Sequence, residues 1–201
     1  HPDMTESQLL KALMHFAGAQ TPFEIDRLEV ARIGRCFGLM PQVPSTAMHL
    51  LAANIVQEFD AFRAPLSEDE IERSDPDRLT APQFSNLHRW GYPYVMDEYR
   101  FHMMLTGPVH PNLNIRFETA LREFFGPLLN EPVKISSLAL FIEPEAGAPL
   151  RVHSQHPLGK LSAHRPAAAS ARASTTAISD LPTRPAATKA SLVARRLQAN
   201  C

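Results

Sequence analysis

The sequence predicts an α+β fold of antiparallel strands flanked by helices, and three observations carry that prediction. Helical stripes opened by capping signatures recur through residues 1–161, with short apolar and β-branched runs between them. The order reads helix-strand-strand-helix and then strand-helix-strand-strand, which is that of two related α+β lobes in rough pseudo-symmetry. Hydrophobic residues make up 44% of the 201-residue chain, enough for a core, and the length suits one domain or two small lobes sharing a cleft.

Taken in order, Thr5 with Gln8 forms a capping box, and Leu9, Leu13, Phe16 and Ala17 follow as a helical stripe that Gly18 is expected to end. Residues 27–33 and 35–40 are strand-like, with Gly34 marking a turn or bulge between them. Over 45–59 the apolar positions Met48, Leu51, Ala52, Ile55 and Phe59 keep helical spacing, so this helix should lie on a sheet. Ser67 with Glu70 opens a short acidic helix, and Thr80 with Gln83 opens another that Gly91 closes. Beyond a strand at 100–107, Phe117, Ala120, Leu121, Phe124, Phe125 and Leu128 recur at three- and four-residue steps before Gly126-Pro127 breaks the pattern. Residues 133–142 read as one strand, apolar on both faces from Leu138 to Ile142, and 149–155 as the last.

A charge asymmetry marks the domain boundary. Residues 162–201 hold six basic residues against Asp180 alone, so this segment is net +5, and the rest must be −6 for the chain to reach −1. That segment has no glycine and no aromatic residue and is dominated by Ala, Ser, Thr, Pro and Arg, too little large apolar surface to offset the entropy of ordering. The expectation is a domain at 1–161 and a disordered tail at 162–201. The overall charge argues against nucleic acid as a partner. No apolar run reaches the roughly 18 residues a membrane span needs. Cys36 and Cys201 form no metal-ligand or redox spacing, and a cytoplasmic location is the expectation.

The chemistry-bearing stretch is 100–107. Alternation along a strand puts Tyr99, Phe101, Met103 and Leu105 on one face, toward a core, and Arg100, His102, Met104 and Thr106 on the other. An imidazole and a hydroxyl on one face are half of an acid/base site. Just upstream, Trp90-Gly91-Tyr92-Pro93-Tyr94-Val95 gathers the only tryptophan and two of the three tyrosines, aromatic bodies with polar tips that suit a small-molecule cleft. The plainer reading is a structural histidine and a loop pinned to the core by its aromatics.

Residues 37–158 resemble the family of proteins encoded in bacterial phosphonate-utilisation operons, a branch of the two-histidine (2H) phosphoesterase superfamily. The resemblance is carried by Phe59-Asp60-Ala61-Phe62-Arg63-Ala64-Pro65-Leu66, by Leu79-Thr80 with Gln83, by the run from Arg89 to Val95, and by Arg100-Phe101-His102-Met103. It implies a bilobal pseudo-symmetric fold with two His-x-Thr/Ser motifs facing each other across a cleft, the second of which falls on His102-Met103-Met104. Met104 stands where the family has a threonine, and a thioether cannot donate to a phosphoryl oxygen. Thr106 shares the strand face but lies roughly 13 Å further along an extended strand, out of reach without a bulge. The first motif would precede the helix that Thr5 opens; the chain begins at His1, followed by Pro2 and Asp3, and has no His-x-Thr there. Either the sequence is a fragment or this copy of the fold has lost one half-site.

What the resemblance implies chemically is metal-free, cofactor-free opening of a cyclic phosphodiester or a related sugar phosphoester. One histidine would take a proton from water while the opposite one protonates the leaving oxygen, and hydroxyls would steady the equatorial oxygens. His102 is the candidate catalytic residue; Thr106, Arg100, Tyr92 and Tyr94 are candidate substrate contacts. Arg63 is expected to tie a loop to a carboxylate. The alternative is a non-catalytic phosphate-ligand binding module or degenerate copy of the family. Competing sites have less support: His153 and His156, three apart on a strand, should point to opposite faces without further ligands, Ser136 and Ser137 lack a nucleophile-elbow glycine pattern, and there is no Gly-rich phosphate loop.

Overall fold

The computed structural model describes residues 4–145 and 147–159 of the chain. The proposed tail and His1 therefore lie outside the described residues. Helix α1 (Glu6–Ala19) starts on the expected capping box and buries Leu9, Leu13, Phe16 and Ala17. It runs through Gly18, whose absent side chain would have met no neighbour within 4 Å, and ends one residue later where Gln20 turns extended and returns its N–H to Ala17 O. Strand β1 (Phe23–Ile25) was not anticipated, because three residues are too few to establish an alternation.

Strands β2 (Leu28–Ile33) and β3 (Cys36–Pro41) form the expected hairpin, joined through Gly34 at φ 58. A glycine at the first central position of a two-residue loop accepts that conformation at no steric cost. Helix α2 (Thr46–Phe59), capped by Ser45, buries Met48, Leu51 and Phe59. The short α3 (Glu68–Glu72) and α4 (Ala81–Trp90) both open on complete capping boxes, and Gly91 closes α4 at φ 76. Helix α5 (Asn114–Phe125) follows strand β4 (Met103–Met104).

Two expectations about strands are corrected. The strand expected over 100–107 is two residues long, pairing Met103 with Leu39 and Met104 with Gly38. Alternation therefore holds only there, and Met103, expected in the core, is 39% exposed. The strand expected over 133–142 is broken at Ser136 into β5 (Val133–Ile135) and β6 (Ser137–Ile142), which join different sheets. Its apolar end is covered on one face: Leu138 and Leu140 pack against the cluster formed by α1 and α2, whereas Phe141 is 46% exposed.

The described strands form three antiparallel sheets, β1-β5, β2-β3-β4 and β6-β7, the last completed by β7 (Arg151–Pro157). Two apolar clusters hold them. The first centres on Phe37, Val30, Ile25 and Leu39, with Tyr99, Phe101, Leu105, Leu121 and Phe125 at its edge. The second joins Leu9, Leu13 and Phe16 of α1 to Leu51 and Phe59 of α2, where Phe16 and Phe59 meet edge-to-face at 5.5 Å. Among the described residues no helix is long and apolar enough to cross a membrane.

Candidate functional site

His102 sits where the chain enters β4, half-buried, on a segment held to β3 by backbone pairing on its far side. Its Nδ1 lies 2.8 Å from Arg100 O. A carbonyl oxygen can only accept, so Nδ1 carries the proton in the neutral ring and Nε2 carries the lone pair. The backbone thereby sets the tautomer of the neutral ring.

Gly38 makes room for this arrangement. A side chain there would bring Cβ to 2.9 Å from Met103 O and 2.8 Å from Ile33 Cδ1. Met103 O is backbone and cannot step aside, so β3 and β4 approach closely only because position 38 is glycine. Gly38→Ala is expected to displace β4 and lower the melting temperature; an unchanged melting temperature and unchanged His102 NMR shifts would contradict the packing.

Thr106 is placed by an irregularity. Phe37 O accepts from both Leu105 N, at 2.9 Å, and Thr106 N, at 3.2 Å, so two residues oppose one as in a bulge. Thr106 Oγ1 in turn accepts from Phe37 N at 3.0 Å. The hydroxyl thus closes the end of the sheet, a use the side-chain alternation did not reveal. Arg100 donates from Nη1 to Asp97 O and Tyr99 O, both at 2.7 Å, which curls it back over its own loop.

The aromatic loop is built on α4. Asn86 Nδ2 donates to Pro93 O at 3.3 Å and Val95 O at 3.0 Å, a tie that sequence reading missed because nothing marks an amide as a loop anchor. Arg63 pairs with Asp60 at 2.9 Å and donates to Arg89 O at 3.3 Å, which agrees with its expected role of tying a loop to a carboxylate. Its guanidinium lies against Gly91, where a Cβ would come within 2.8 Å of Nη1. Beyond that turn the Tyr92 and Tyr94 rings meet edge-to-face at 5.7 Å.

The Tyr92 hydroxyl is buried without a hydrogen-bond partner among the described residues. Burial first, and the neighbouring Tyr94 second, push its pKa from 10.0 up to about 12. Burial raises Tyr99 as well. The folded protein holds the Tyr92 proton more tightly than the unfolded chain. The resulting stability is fully present below the ordinary value of 10.0 and is lost as pH rises through about 12. Tyr92→Phe is expected to leave stability at neutral pH unchanged or higher and to flatten the alkaline limb of a melting-temperature profile. An alkaline limb as steep as that of the parent protein would count against it.

His153 and His156 correct the expectation of opposite faces. In β7 the register passes from Phe141↔Val152 to Leu140↔Ser154, which leaves His153 as the extra residue of a bulge. Both imidazoles accordingly turn toward polar partners: His153 Nε2 meets Glu6 of α1 at 2.6 Å, and His156 Nε2 meets Ser154 Oγ at 2.9 Å. Ser154 and His156 line an open cleft of about 560 Å³ against Glu6, Ser7, Leu10, Lys11 and Met14. A second depression, about 390 Å³, lies among Asp26, Arg27, Gln42, Val43, Asn130 and Pro132. Neither is lined by His102 or the tyrosine pair. Among the described residues no group of three or more His, Cys, Asp or Glu is placed to hold a metal ion.

Fold and site together define an antiparallel α+β protein that presents a histidine in a fixed tautomer one residue before β4, next to a bulged sheet end. The chain belongs to the family described as "Protein of unknown function (DUF1045)", whose model matches residues 1–151. It is similar to two proteins named "Ribose 1,5-bisphosphate phosphokinase PhnN". With that of Janthinobacterium sp. (strain Marseille) it is 33% identical over 148 residues, 72% of this chain and 33% of the relative. With that of Laribacter hongkongensis (strain HLHK9) it is 39% identical over 95 residues, 46% of this chain and 22% of the relative. The chain thus spans a third or less of the length of these curated relatives. No solved structure matches it.

Proposed function

We propose that this chain is the His102-bearing part of a two-lobed phosphoesterase of the two-histidine type, acting without a metal on a cyclic or sugar phosphoester in phosphonate breakdown. The observation that carries the reading is the Nδ1 contact of His102 with Arg100 O, which puts the proton of the neutral ring on Nδ1 and the lone pair on Nε2, the atom that would act as base. The relatives' name points to a phosphorylated ribose as the kind of ligand handled in the same chemistry. Phosphoryl transfer from a nucleotide is a poor assignment for this segment, since the sequence has no Gly-x4-Gly-Lys-Ser/Thr loop to cradle the phosphates.

In this reading His102 Nε2 takes the proton of the attacking water or hydroxyl, while Arg100, Tyr92 and Tyr94 meet phosphate and sugar when the ligand draws the loop in. Domain limits of 1–161 and 162–201 and a cytoplasmic location belong to the same proposal. A second reading, a phosphate-ligand binding module without turnover, is favoured by Met104 and by the engagement of Thr106 Oγ1 with Phe37 N. A panel of 2′,3′-cyclic, 1,2-cyclic ribose and open ribose phosphates separates the two: the enzyme reading expects phosphate-ester opening that resists chelators, and the binding reading expects saturable binding with no product. Turnover that persists in His102→Ala would remove the assignment to this site.

A further inference from the structure

Helix α5 carries an apolar arc wider than the core that receives it. Only its Leu121 and Phe125 edge packs against the first cluster, and none of its residues is buried. Beside that edge runs a second stripe, Leu113, Phe117, Ala120, Phe124 and Leu128, spaced four, three, four and four residues apart. Leu113 and Leu128 belong to the single turns that precede and follow the helix. The large side chains of this stripe are exposed: Leu113 42%, Phe117 38%, Phe124 71% and Leu128 68%. A contiguous row of this kind along four turns marks a contact surface rather than scattered surface residues.

We propose that the stripe pairs with itself in a second copy of this chain, forming an antiparallel α5–α5 dimer about a twofold axis. The pattern is self-complementary about a point between Ala120 and Leu121. An antiparallel copy brings Leu113 opposite Leu128, Phe117 opposite Phe124, and the small Ala120 to the centre, where the two backbones must come closest. Charge agrees with the same alignment. Glu118 and Arg122 are satisfied within the helix at 2.9 Å. Arg116 and Glu123 lie seven residues apart on the shoulder of the stripe away from the core, both exposed and in no ion pair among the described residues. A twofold axis brings like shoulders together, so Arg116 of each copy falls two residues, about 3 Å along the axis, from the level of Glu123 of the other, within the reach of these two long side chains, twice.

One helix pair buries less than the roughly 800 Å² per partner of a standard interface, so association in the micromolar range is expected. Sedimentation equilibrium of the 201-residue chain over increasing concentration should show the mass rising from that of one 22.4 kDa chain toward that of two. Phe124→Glu should weaken association about tenfold or more, since it places a charge at the paired aromatic position. Arg116→Glu and Glu123→Arg should each weaken it severalfold, and the double exchange should bring it back to within about twofold, because the swap restores both pairs. The exposure of all three positions leaves folding intact, which circular dichroism verifies. A chain that stays monomeric throughout, whether because another domain or protein covers the stripe or because nothing does, overturns the proposal. So does a dimer indifferent to Phe124→Glu, or charge variants whose effects the double exchange does not reverse.

Discussion

In the proposed phosphoesterase, His102→Ala is expected to lower phosphoester turnover by about 10²–10⁴-fold, the usual contribution of a positioned general base. The loss should appear in kcat, because the imidazole matters most as the proton moves and less when the ligand binds. His102→Asn tests the geometry: an amide can keep the contact to Arg100 O but has no group that takes a proton near neutrality, so activity should stay lost while the fold is kept. The reverse experiment is Met104→Thr. Supplying the hydroxyl that Met104 lacks should raise kcat by roughly tenfold or more, since a single oxyanion donor is commonly worth about 10²–10³. Equal kcat in the parent protein and His102→Ala would return the chain to the binding reading.

The largest effect on stability is expected for Phe37→Ala. Phe37 is 1% exposed at the centre of the first cluster, and its loss leaves a cavity that rigid strands on either side cannot close. A cost of about 3–5 kcal/mol is typical of such a truncation, against about 5–15 kcal/mol for a whole domain. The damage should reach the site, because Phe37 N and O are the groups that hold Thr106 and Leu105. Chemical denaturation should therefore show a lower midpoint, and amide exchange at Leu105 and Thr106 should speed up. Normal exchange at those two amides together with a large loss of stability would separate the core from the site.

Much of the fold was legible because its signals are local. A capping box needs four consecutive residues, so Thr5-Gln8, Ser67-Glu70 and Thr80-Gln83 announced three helices correctly. Gly91 could be read as a helix end because its left-handed conformation is a property of the residue itself. Gly18 misled because a glycine in a helix is a cost and not a prohibition, and its neighbours ran on. The two-residue β4, the break at Ser136 and the bulge at His153 were hidden, since each depends on what the partner strand does.

The candidate site divides in the same way. Residue type and order determined that position 102 carries an imidazole and that position 104 carries no hydroxyl. Only tertiary structure decided that Arg100 O sets the tautomer of His102, that Phe37 takes up Thr106 Oγ1, and that Asn86 and Arg63 anchor the loop bearing Tyr92 and Tyr94. The physical reason is that a side chain's chemistry is its own, whereas the direction of a hydrogen bond belongs to two groups. Two of those pairs are far apart in the chain, Phe37 and Thr106 by 69 residues and Arg63 and Arg89 by 26, and no local pattern records that they will meet.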